Sequence, residues 1–331
     1  MRFCGYIDFR IKPARWKRLG RTTGAENQPL EGNRRTCVIF NPAAARKRAQ
    51  ARLEYVQEQW KNRAAFWPTE QPGHAEELAV KAVEQGFEII AAAGGDGTVH
   101  EVANGILKTG NTTVAFALIP IGSANDYAFS LQWACQQAGP DKLVDIGLVR
   151  GGGKERYFVN SLGLGFSCAV ALDSRRIPWL QGVPLYGLAF LRSLLFRYQL
   201  LPMNVVLDHH VRVEPTLSIT FALGRREGNL VVAPRAQLDD GSFDYLHVGA
   251  LSRWRVLRYL PRLARGGELP EHPVIWQGKC RSARLHSDVP LDVHLDGEFF
   301  CTKTDGITEL DIQIRPNGFR VRFPFNFEIS G

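Results

Sequence analysis

The fold is decided by the stretch Ala91-Ala92-Ala93-Gly94-Gly95-Asp96-Gly97-Thr98-Val99-His100-Glu101. The apolar run 87–93 that leads into it predicts a buried parallel strand, and a helix is expected from about Thr98. The three glycines let the backbone turn tightly and approach a ligand closely. Because helix N-termini attract anions, the turn predicts a phosphate site, although a turn without any ligand has the same pattern.

Asp96 adds a cation to this prediction. A carboxylate repels a bound phosphate unless a divalent cation lies between the two charges. The turn therefore predicts Mg²⁺ together with a nucleotide phosphate.

A second turn of the same kind follows one helix and one strand later, in Pro120-Ile121-Gly122-Ser123-Ala124-Asn125-Asp126. The apolar run 114–119 before it predicts another buried parallel strand. Ser123 offers a hydroxyl to a phosphate, whereas Asn125 and Asp126 are also typical helix caps. Since ligands bind outside the carboxyl ends of parallel strands, the two turns predict one cleft.

Five ordered blocks resemble the diacylglycerol kinase catalytic-domain family of bacterial lipid kinases, which are relatives of sphingosine and ceramide kinases. They are Asn41-Pro42, residues 94–98 with Glu101, residues 120–126, residues 234–244 and Asp296-Gly297-Glu298. The resemblance spans roughly residues 35–330. It implies an α/β fold with a Rossmann-like N-terminal domain, of the NAD kinase and diacylglycerol kinase type, and a C-terminal antiparallel β-sandwich domain.

The resemblance also implies the site residues. Glu298 takes the position of the proton acceptor, with Asp296 beside it, and Mg²⁺ is held by the Asp240 carboxylate and the main-chain carbonyls of Gln237 and Ser242. ATP contacts are implied for Asn41, Thr69, Gly94, Gly95, Asp96, Gly97, Thr98, Val99, His100, Glu101, Ser123, Asn125 and Asp126. Both acidic segments also fit ordinary hairpin turns, and His294 is given no role.

The function that these blocks indicate is ATP-dependent transfer of a phosphoryl group to a lipid hydroxyl. NAD kinase-like phosphorylation of a soluble substrate is one alternative. The block Asn41-Pro42-Ala43 lacks the Ser-Gly usual in the family, which leaves a catalytically idle nucleotide- or lipid-binding regulator as another. No side chain distinguishes diacylglycerol from phosphatidylglycerol, a sphingoid base or an isoprenoid alcohol.

The pattern of elements predicts a basic leader over 1–34, a nucleotide-binding domain over 35–146 and a lipid-substrate domain over 147–331, whose last strand could return to the first domain. Helices are expected over 48–61 and 75–85, and strands alternate with helices in this half. After Asp145, short alternating runs at 156–161, 211–223, 243–248, 283–287 and 291–295 predict antiparallel strands, with a hairpin turn at 151–153. The apolar run 183–201 contains Arg192 and Arg197, so it predicts an amphipathic or buried helix rather than a membrane span.

Cysteine content predicts a cytoplasmic protein, and the charge distribution predicts where it makes contact. The six cysteines form no close-spaced metal pattern, which favours reduced thiols. Residues 1–36 carry nine Lys or Arg and three Asp or Glu, a balance of +6 out of +8 for all 331 residues. This leader predicts peripheral contact with the anionic inner leaflet, although a solvated tail also explains it. The sequence contains no recognised nucleic-acid-binding module, so no nucleic-acid partner is expected. It does not determine whether the protein forms a homodimer.

Overall fold

The computed structural model describes residues 35–42, 53, 54, 56–58, 60, 63–134, 141–177, 179, 180 and 182–322. The predicted leader 1–34 and residues 43–47 of the altered first block lie outside the described residues. The described residues belong to one compact unit.

Four apolar strands form the parallel half of the first sheet, in the order β2-β1-β3-β4. Their bounds are β1 (Thr36–Phe40), β2 (Ala64–Pro68), β3 (Ile89–Gly94) and β4 (Ala115–Pro120). The helices between and after them are α1 (His74–Glu84), α2 (Asp96–Lys108) and α3 (Asp126–Ala134). Because the strands are parallel and paired in register, Gly94 opposite Pro120, their carboxyl ends lie at one edge.

The described residues of the predicted helix 48–61 are helical, and Leu53 and Val56 are buried against the strands. Helix α2 begins at Asp96, two residues earlier than expected. The first turn of the helix therefore contains Asp96 and Gly97, which the sequence had placed in the preceding loop.

The first sheet continues beyond β4 through a long strand, β18 (Glu309–Arg322), which pairs in parallel with β4. This strand also pairs in antiparallel fashion with β5 (Asp141–Gly151) and β15 (Ser282–Ser287). The remaining members of the ten-stranded sheet are β6 (Lys154–Phe158), β8 (Leu201–Leu207) and β9 (His210–Thr216). The hairpin turn expected at 151–153 is confirmed between β5 and β6, where Gly152 and Gly153 have positive φ.

The C-terminal half contributes a second, antiparallel sheet of six strands, and this confirms the expected fold class. In spatial order these strands are β14 (Ile275–Cys280), β13 (Phe243–Val248), β10 (Ser218–Ala222), β7 (Ser161–Gly165), β16 (Val293–Leu295) and β17 (Glu298–Cys301). A short hairpin, β11 (Arg226–Glu227) and β12 (Leu230–Val231), forms a separate two-stranded sheet. The helices here are α4 (Phe166–Arg175), α5 (Val183–Phe196) and α6 (Arg253–Ala264).

One buried apolar core runs through both halves, with Phe116 of β4, Phe319 of β18 and Phe221 of β10 among its members. Burial of this apolar surface is the main force that holds the two sheets together. No helix in the described part of the chain is long and apolar enough to cross a membrane. Cys37, Cys168, Cys280 and Cys301 are free thiols and are buried.

Candidate active site

The two glycine-bearing turns meet at the carboxyl edge of the parallel strands. A Cβ atom on Gly122 would lie 2.3 Å from the Gly95 Cα atom, and a Cβ on Gly94 would lie 2.4 Å from the Thr98 hydroxyl oxygen. None of these glycines has a positive φ, so they serve close approach rather than a left-handed turn. The two turns therefore lie side by side, as the prediction of a single cleft requires.

Asp96 joins the first turn to the helix that follows the second. Its Oδ1 atom accepts hydrogen bonds from the backbone amides of Asp126 (2.8 Å) and Tyr127 (3.4 Å), at the start of α3. The cap of α3 is therefore supplied by a residue thirty positions upstream rather than by its neighbours. Burial, together with the charge of Asp126, raises the pKa of Asp96 above its usual range.

Asp126 connects the second turn to the β11–β12 hairpin. Its carboxylate accepts hydrogen bonds from Arg226 Nε (2.6 Å) and from the amides of Gly228 (2.6 Å) and Asn229 (3.2 Å). Burial raises the pKa of Asp126, and the Arg226 charge opposes this rise. A contact between residues 100 positions apart in the sequence thus connects the C-terminal half to the second turn.

Asn125 and Ser123 have different roles in the second turn. The Asn125 side chain exchanges two hydrogen bonds of 2.9 Å with the backbone of Gly122, and its φ is +53°. Asn125 thus shapes its own turn. Ser123 is exposed and lines the large cavity described below, as does Val99 from the first turn of α2.

Glu101 fixes the loop that carries Thr69. Its two carboxylate oxygens accept hydrogen bonds from the amides of Gly73 (2.9 Å) and Ala75 (3.1 Å), at the start of α1. The Thr69 amide donates to Phe40 O at 2.8 Å, and the Asn41 amide donates to Ala93 O at 3.2 Å. The three predicted residues therefore lie where β1, β2 and α1 meet.

Asp296 is a buried carboxylate whose two oxygens are fully engaged. Oδ2 accepts from the Val159 amide (3.0 Å) and lies 2.9 Å from His100 Nδ1, while Oδ1 accepts from the amides of Asn160 (2.8 Å) and Ser161 (3.0 Å). The second ring nitrogen of His100 accepts from Arg156 Nε at 3.1 Å. His100 therefore supports Asp296 from α2 rather than facing the cavity.

Glu298 is the residue that brings the C-terminal half to the first turn. A Cβ atom on Gly97 would lie 2.6 Å from Glu298 Oε1, so a larger residue there would force the Glu298 carboxylate to move. The Arg175 guanidinium donates to Glu298 Oε2 (2.7 Å) and to Gly297 O (2.8 Å). Sequence reasoning missed Arg175, because a single basic residue at the end of a helix carries no distinguishing pattern.

A cavity of about 360 Å³ opens beside these groups. Its polar lining includes Asp96, Ser123, Arg175 and Glu298. The larger part of the lining is apolar and comes from the second sheet and from α4, α5 and α6, with Phe166, Phe190, Leu217, Val248, Leu263 and Leu269 among its members. A volume in this range is typical of small-molecule sites.

One polar cluster interrupts the apolar wall. Ser167 Oγ donates to Glu227 Oε1 (2.5 Å) and lies 2.8 Å from His294 Nε2. Although burial works to raise it, His294 and hydrogen bonds from Ser167 and Thr220 hold the pKa of Glu227 below its usual value. Glu227 lies near Nε2, the same ring nitrogen that contacts the serine, so the cluster lacks the geometry of a hydrolase triad.

The predicted metal loop is held by lysines. The Asp240 carboxylate pairs with Lys279 and accepts a hydrogen bond from the Ser242 amide at 3.1 Å. The Lys279 amino group also lies 3.2 Å from the Asp244 carboxylate. Gln237 lies on the same loop. Within the described ranges no group of three or more His, Cys, Asp or Glu side chains could hold a metal ion.

Known proteins show the same two-domain arrangement. Residues 35–149 match the family described as diacylglycerol kinase catalytic domain, and residues 160–322 match the YegS C-terminal NAD kinase beta sandwich-like domain. A Staphylococcus saprophyticus protein named diacylglycerol kinase is 26% identical over 277 residues, covering 80% of this chain and 89% of that protein. A Bacillus subtilis protein of the same name is 26% identical, covering 80% and 90%.

A solved structure is similar as well. The crystal structure of a diacylglycerol kinase from Bacillus anthracis has a TM-score of 0.63, covers 87% of this chain and 96% of its own, and is 17% identical. That likeness supports the fold alone. With both domains matched in order, residues 35–149 belong to the diacylglycerol kinase catalytic-domain family and residues 160–322 to the YegS C-terminal domain family.

Proposed function

We propose that the protein transfers the γ-phosphoryl group of ATP to the hydroxyl of a membrane lipid. The observation that carries this proposal is the cavity beside Gly97, where the Glu298 carboxylate lies near the first glycine-bearing turn and the rest of the lining is largely apolar. A hydroxyl attached to apolar chains matches such a lining. A soluble acceptor of the NAD kinase type would leave most of this wall without a partner.

The nucleotide would lie along the carboxyl edge of the parallel strands. Backbone amides at the start of α2 and the Ser123 hydroxyl would contact the phosphates, and Thr69 and Asn41 would lie toward the nucleoside. The close Gly95–Gly122 contact supports this, because it leaves backbone rather than side chains facing the ligand. Catalysis of phosphoryl transfer depends mainly on such positioning.

Glu298 would accept the proton of the lipid hydroxyl. Arg175 holds Oε2, and this leaves Oε1 as the carboxylate atom nearest to the first turn. Asp296 would act as a positioning residue, since its four hydrogen-bond contacts orient the β16–β17 turn that carries Glu298. The general base and its support thus come from one turn.

Mg²⁺ fits Asp96 better than the acidic loop. Asp96 is buried beside a second carboxylate, Asp126, so a cation would stabilise its charged form. Mg²⁺ in such enzymes is held by one or two carboxylates together with phosphate oxygens. At the loop, Lys279 already pairs with Asp240, so a cation bound there by Gln237, Asp240 and Ser242 must displace it. When bound, Mg²⁺ would neutralise charge on the transferring phosphate.

The acceptor class follows from the relatives only as a proposal. Proteins similar to this chain are named diacylglycerol kinase, and diacylglycerol is therefore the first lipid to test. A lipid acceptor implies that the enzyme works in the cytoplasm at the inner face of a membrane. The polar cluster around Glu227 would then contact a polar group of the bound lipid.

The deciding experiment is lipid phosphorylation by Glu298→Gln. The amide keeps the size of the side chain but removes its basicity, so we expect kcat to fall roughly 100- to 10,000-fold. ATP affinity, measured by calorimetry on the same preparation, should be unchanged because the phosphates contact other turns. Radiolabelled ATP with a lipid extract, followed by mass identification of the product, also identifies the acceptor.

The matched control is Glu309→Gln, an exposed carboxylate at the start of β18. It should retain full activity. Undiminished phosphorylation by Glu298→Gln would remove the base from this proposal. A wild-type protein that binds ATP but labels no lipid and no NAD would instead be the idle regulator.

A further inference from the structure

Helix α6 presents an uncompensated positive surface. The segment 253–265 contains Arg253, Arg255, Arg258, Arg262 and Arg265 and no acidic residue. All five arginines are exposed. Arg255 contacts the ring of His272, Arg253 lies over the ring of Tyr198, and none of the five forms an ion pair with the described part of the chain. Their charge is therefore available to a partner.

The same helix exposes a large apolar side chain among these arginines. Trp254 is 82% exposed, and its indole lies outside the core that buries Val256 two residues later. Tryptophan and arginine on one helix face are typical of helices that lie in a membrane interface. A surface built only for nucleic acid or an acidic protein does not need this exposed apolar group.

Helix α5 carries an exposed apolar stripe of its own. Leu188, Leu191 and Leu195 follow the spacing of one helix face and are exposed, and Phe196 is 77% exposed. The two helices are connected through Tyr198, whose hydroxyl donates to Leu251 O, and whose ring lies 5.0 Å from the Arg253 guanidinium. An exposed stripe of this kind marks an interaction surface.

The opposite face of α6 lines the cavity. Val256, Tyr259 and Leu263 belong to its wall, as does Phe190 of α5. The two helices thus separate the apolar cavity from their own exposed residues. A lipid that leaves a bilayer at this surface meets the cavity directly behind it.

We propose that α6 and the exposed stripe of α5 form the surface that docks on an anionic lipid bilayer. The arginines contact lipid phosphates, while Trp254 and the leucines enter the interface. The role of this docking rests on the proposed lipid kinase function, whereas the vesicle-binding test of the surface does not depend on that function. The leader, which lies outside the described residues, is not needed for this assignment.

The test is vesicle co-sedimentation of the full chain without ATP. The probes are phosphatidylcholine vesicles with and without phosphatidylglycerol, and the variant is Arg258→Ala/Arg262→Ala/Arg265→Ala. Each basic residue near an anionic surface contributes a similar favourable free energy of binding. Because the triple variant lacks three of them, we expect its partition coefficient for the anionic vesicles to be about 100-fold below that of the wild type. Trp254→Ala should weaken binding also in high salt, where charge attraction is screened.

The matched control is Arg281→Ala/Arg284→Ala/Arg315→Ala, which removes the same charge from exposed positions on or beside β15 and β18. It should bind vesicles as the wild type does, and the thermal melting of both triple variants should show intact folding. Equal loss in both triple variants would reduce the effect to net charge and overturn the proposal. So would unchanged binding by the α6 variant, or tighter binding of a DNA oligonucleotide than of vesicles.

Phosphorylation of a short-chain diacylglycerol in solution separates the two proposals. The α6 variant should retain wild-type kcat on this substrate, since its substituted residues lie outside the cavity. A wild type that docks but phosphorylates no lipid refutes the kinase and not the surface. A wild type that phosphorylates the soluble lipid but ignores anionic vesicles refutes the surface and not the kinase.

Discussion

Asp96 is an ionisable carboxyl group in a place where the fold alone would favour a neutral side chain. Its side chain is buried beside Asp126, and one of its oxygens is already used to cap α3. A neutral amide could accept the same backbone hydrogen bonds. We infer that the charge is kept for the ligand, since sites that bind charge often reduce stability.

We therefore predict that Asp96→Asn is inactive but more stable than the wild type at high pH. Burial raises the pKa of Asp96, so between its usual range and the raised value the folded chain holds a proton that the unfolded chain has lost. Wild-type stability thus falls as pH rises through this interval, and the asparagine variant does not share that loss. Urea denaturation at about pH 5 and about pH 8 measures the difference, which should grow with pH.

The control for this prediction is Asp288→Asn, since Asp288 is 76% exposed and remote from the turns. It should change neither ATP turnover nor the pH slope of stability relative to the wild type. An Asp96→Asn protein with normal turnover, or with a stability advantage independent of pH, would contradict the assignment.

At the scale of elements, the site depends on one helix holding the start of another. Glu101 of α2 accepts two amides at the start of α1, and Thr69 belongs to the loop that precedes α1. Loss of such a cap costs ~1 kcal/mol of stability. The loop should then adopt more conformations before ATP binds.

For Glu101→Ala we expect the KM for ATP to rise several-fold while kcat changes little. The reason is that the variant disorders a binding loop but leaves Glu298 and the phosphate turns in place. Steady-state kinetics with varied ATP checks this, with Glu84→Ala, exposed at the end of α1, as the control. A fall in kcat at constant KM would mean that Glu101 supports the chemistry instead.

The acidic loop 237–242 gives a prediction about metal. If Mg²⁺ binds Asp240, it competes with Lys279, because both neutralise the same carboxylate. Lys279→Met should therefore gain more thermal stability from Mg²⁺ than the wild type, and Asp240→Asn should gain less. Melting curves with and without Mg²⁺ test this. Equal shifts in all three proteins would leave the loop as a turn held by its lysine.

Local sequence patterns predicted those elements of the molecule that depend on local interactions. The strand expected at 243–248 is β13, and the helix expected at 75–85 is α1, displaced by one residue. The sequence left open that the last strand returns to the first domain, and β18 does pair with β4 at residues 321 and 116. The continuous ten-stranded sheet was not predicted, because no local periodicity encodes such a pairing. The expected separation of a parallel sheet from a sandwich therefore understates how far the two halves share strands.

For the candidate site, the sequence placed the two glycine-bearing turns at one edge of the sheet, while the contacts of these turns with the Asp296-Gly297-Glu298 block depended on the fold. His100 was expected at the nucleotide, but it contacts Asp296, which lies 196 positions later. Arg175 and the Glu227 cluster have no motif, since their chemistry arises only when α4, β11 and β16 converge. Residue type thus indicated candidate polar groups, and tertiary structure decided which of them meet.

At the scale of the whole molecule, the cavity formed between the two halves should determine the length of the acceptor chains. Val248 of β13 lines the cavity and is 9% exposed, so Val248→Phe fills part of the space that a long chain would occupy. We expect kcat/KM for long-chain diacylglycerol to fall about 10-fold, since small changes in an apolar pocket produce selectivity of this size. The kcat/KM for a short-chain lipid should be unchanged.

Val211→Phe makes the same substitution on β9, at a side chain that is 65% exposed, and should leave the profile of chain lengths unchanged. Parallel profiles for the two variants, measured over a series of chain lengths, would show that the chains bind elsewhere.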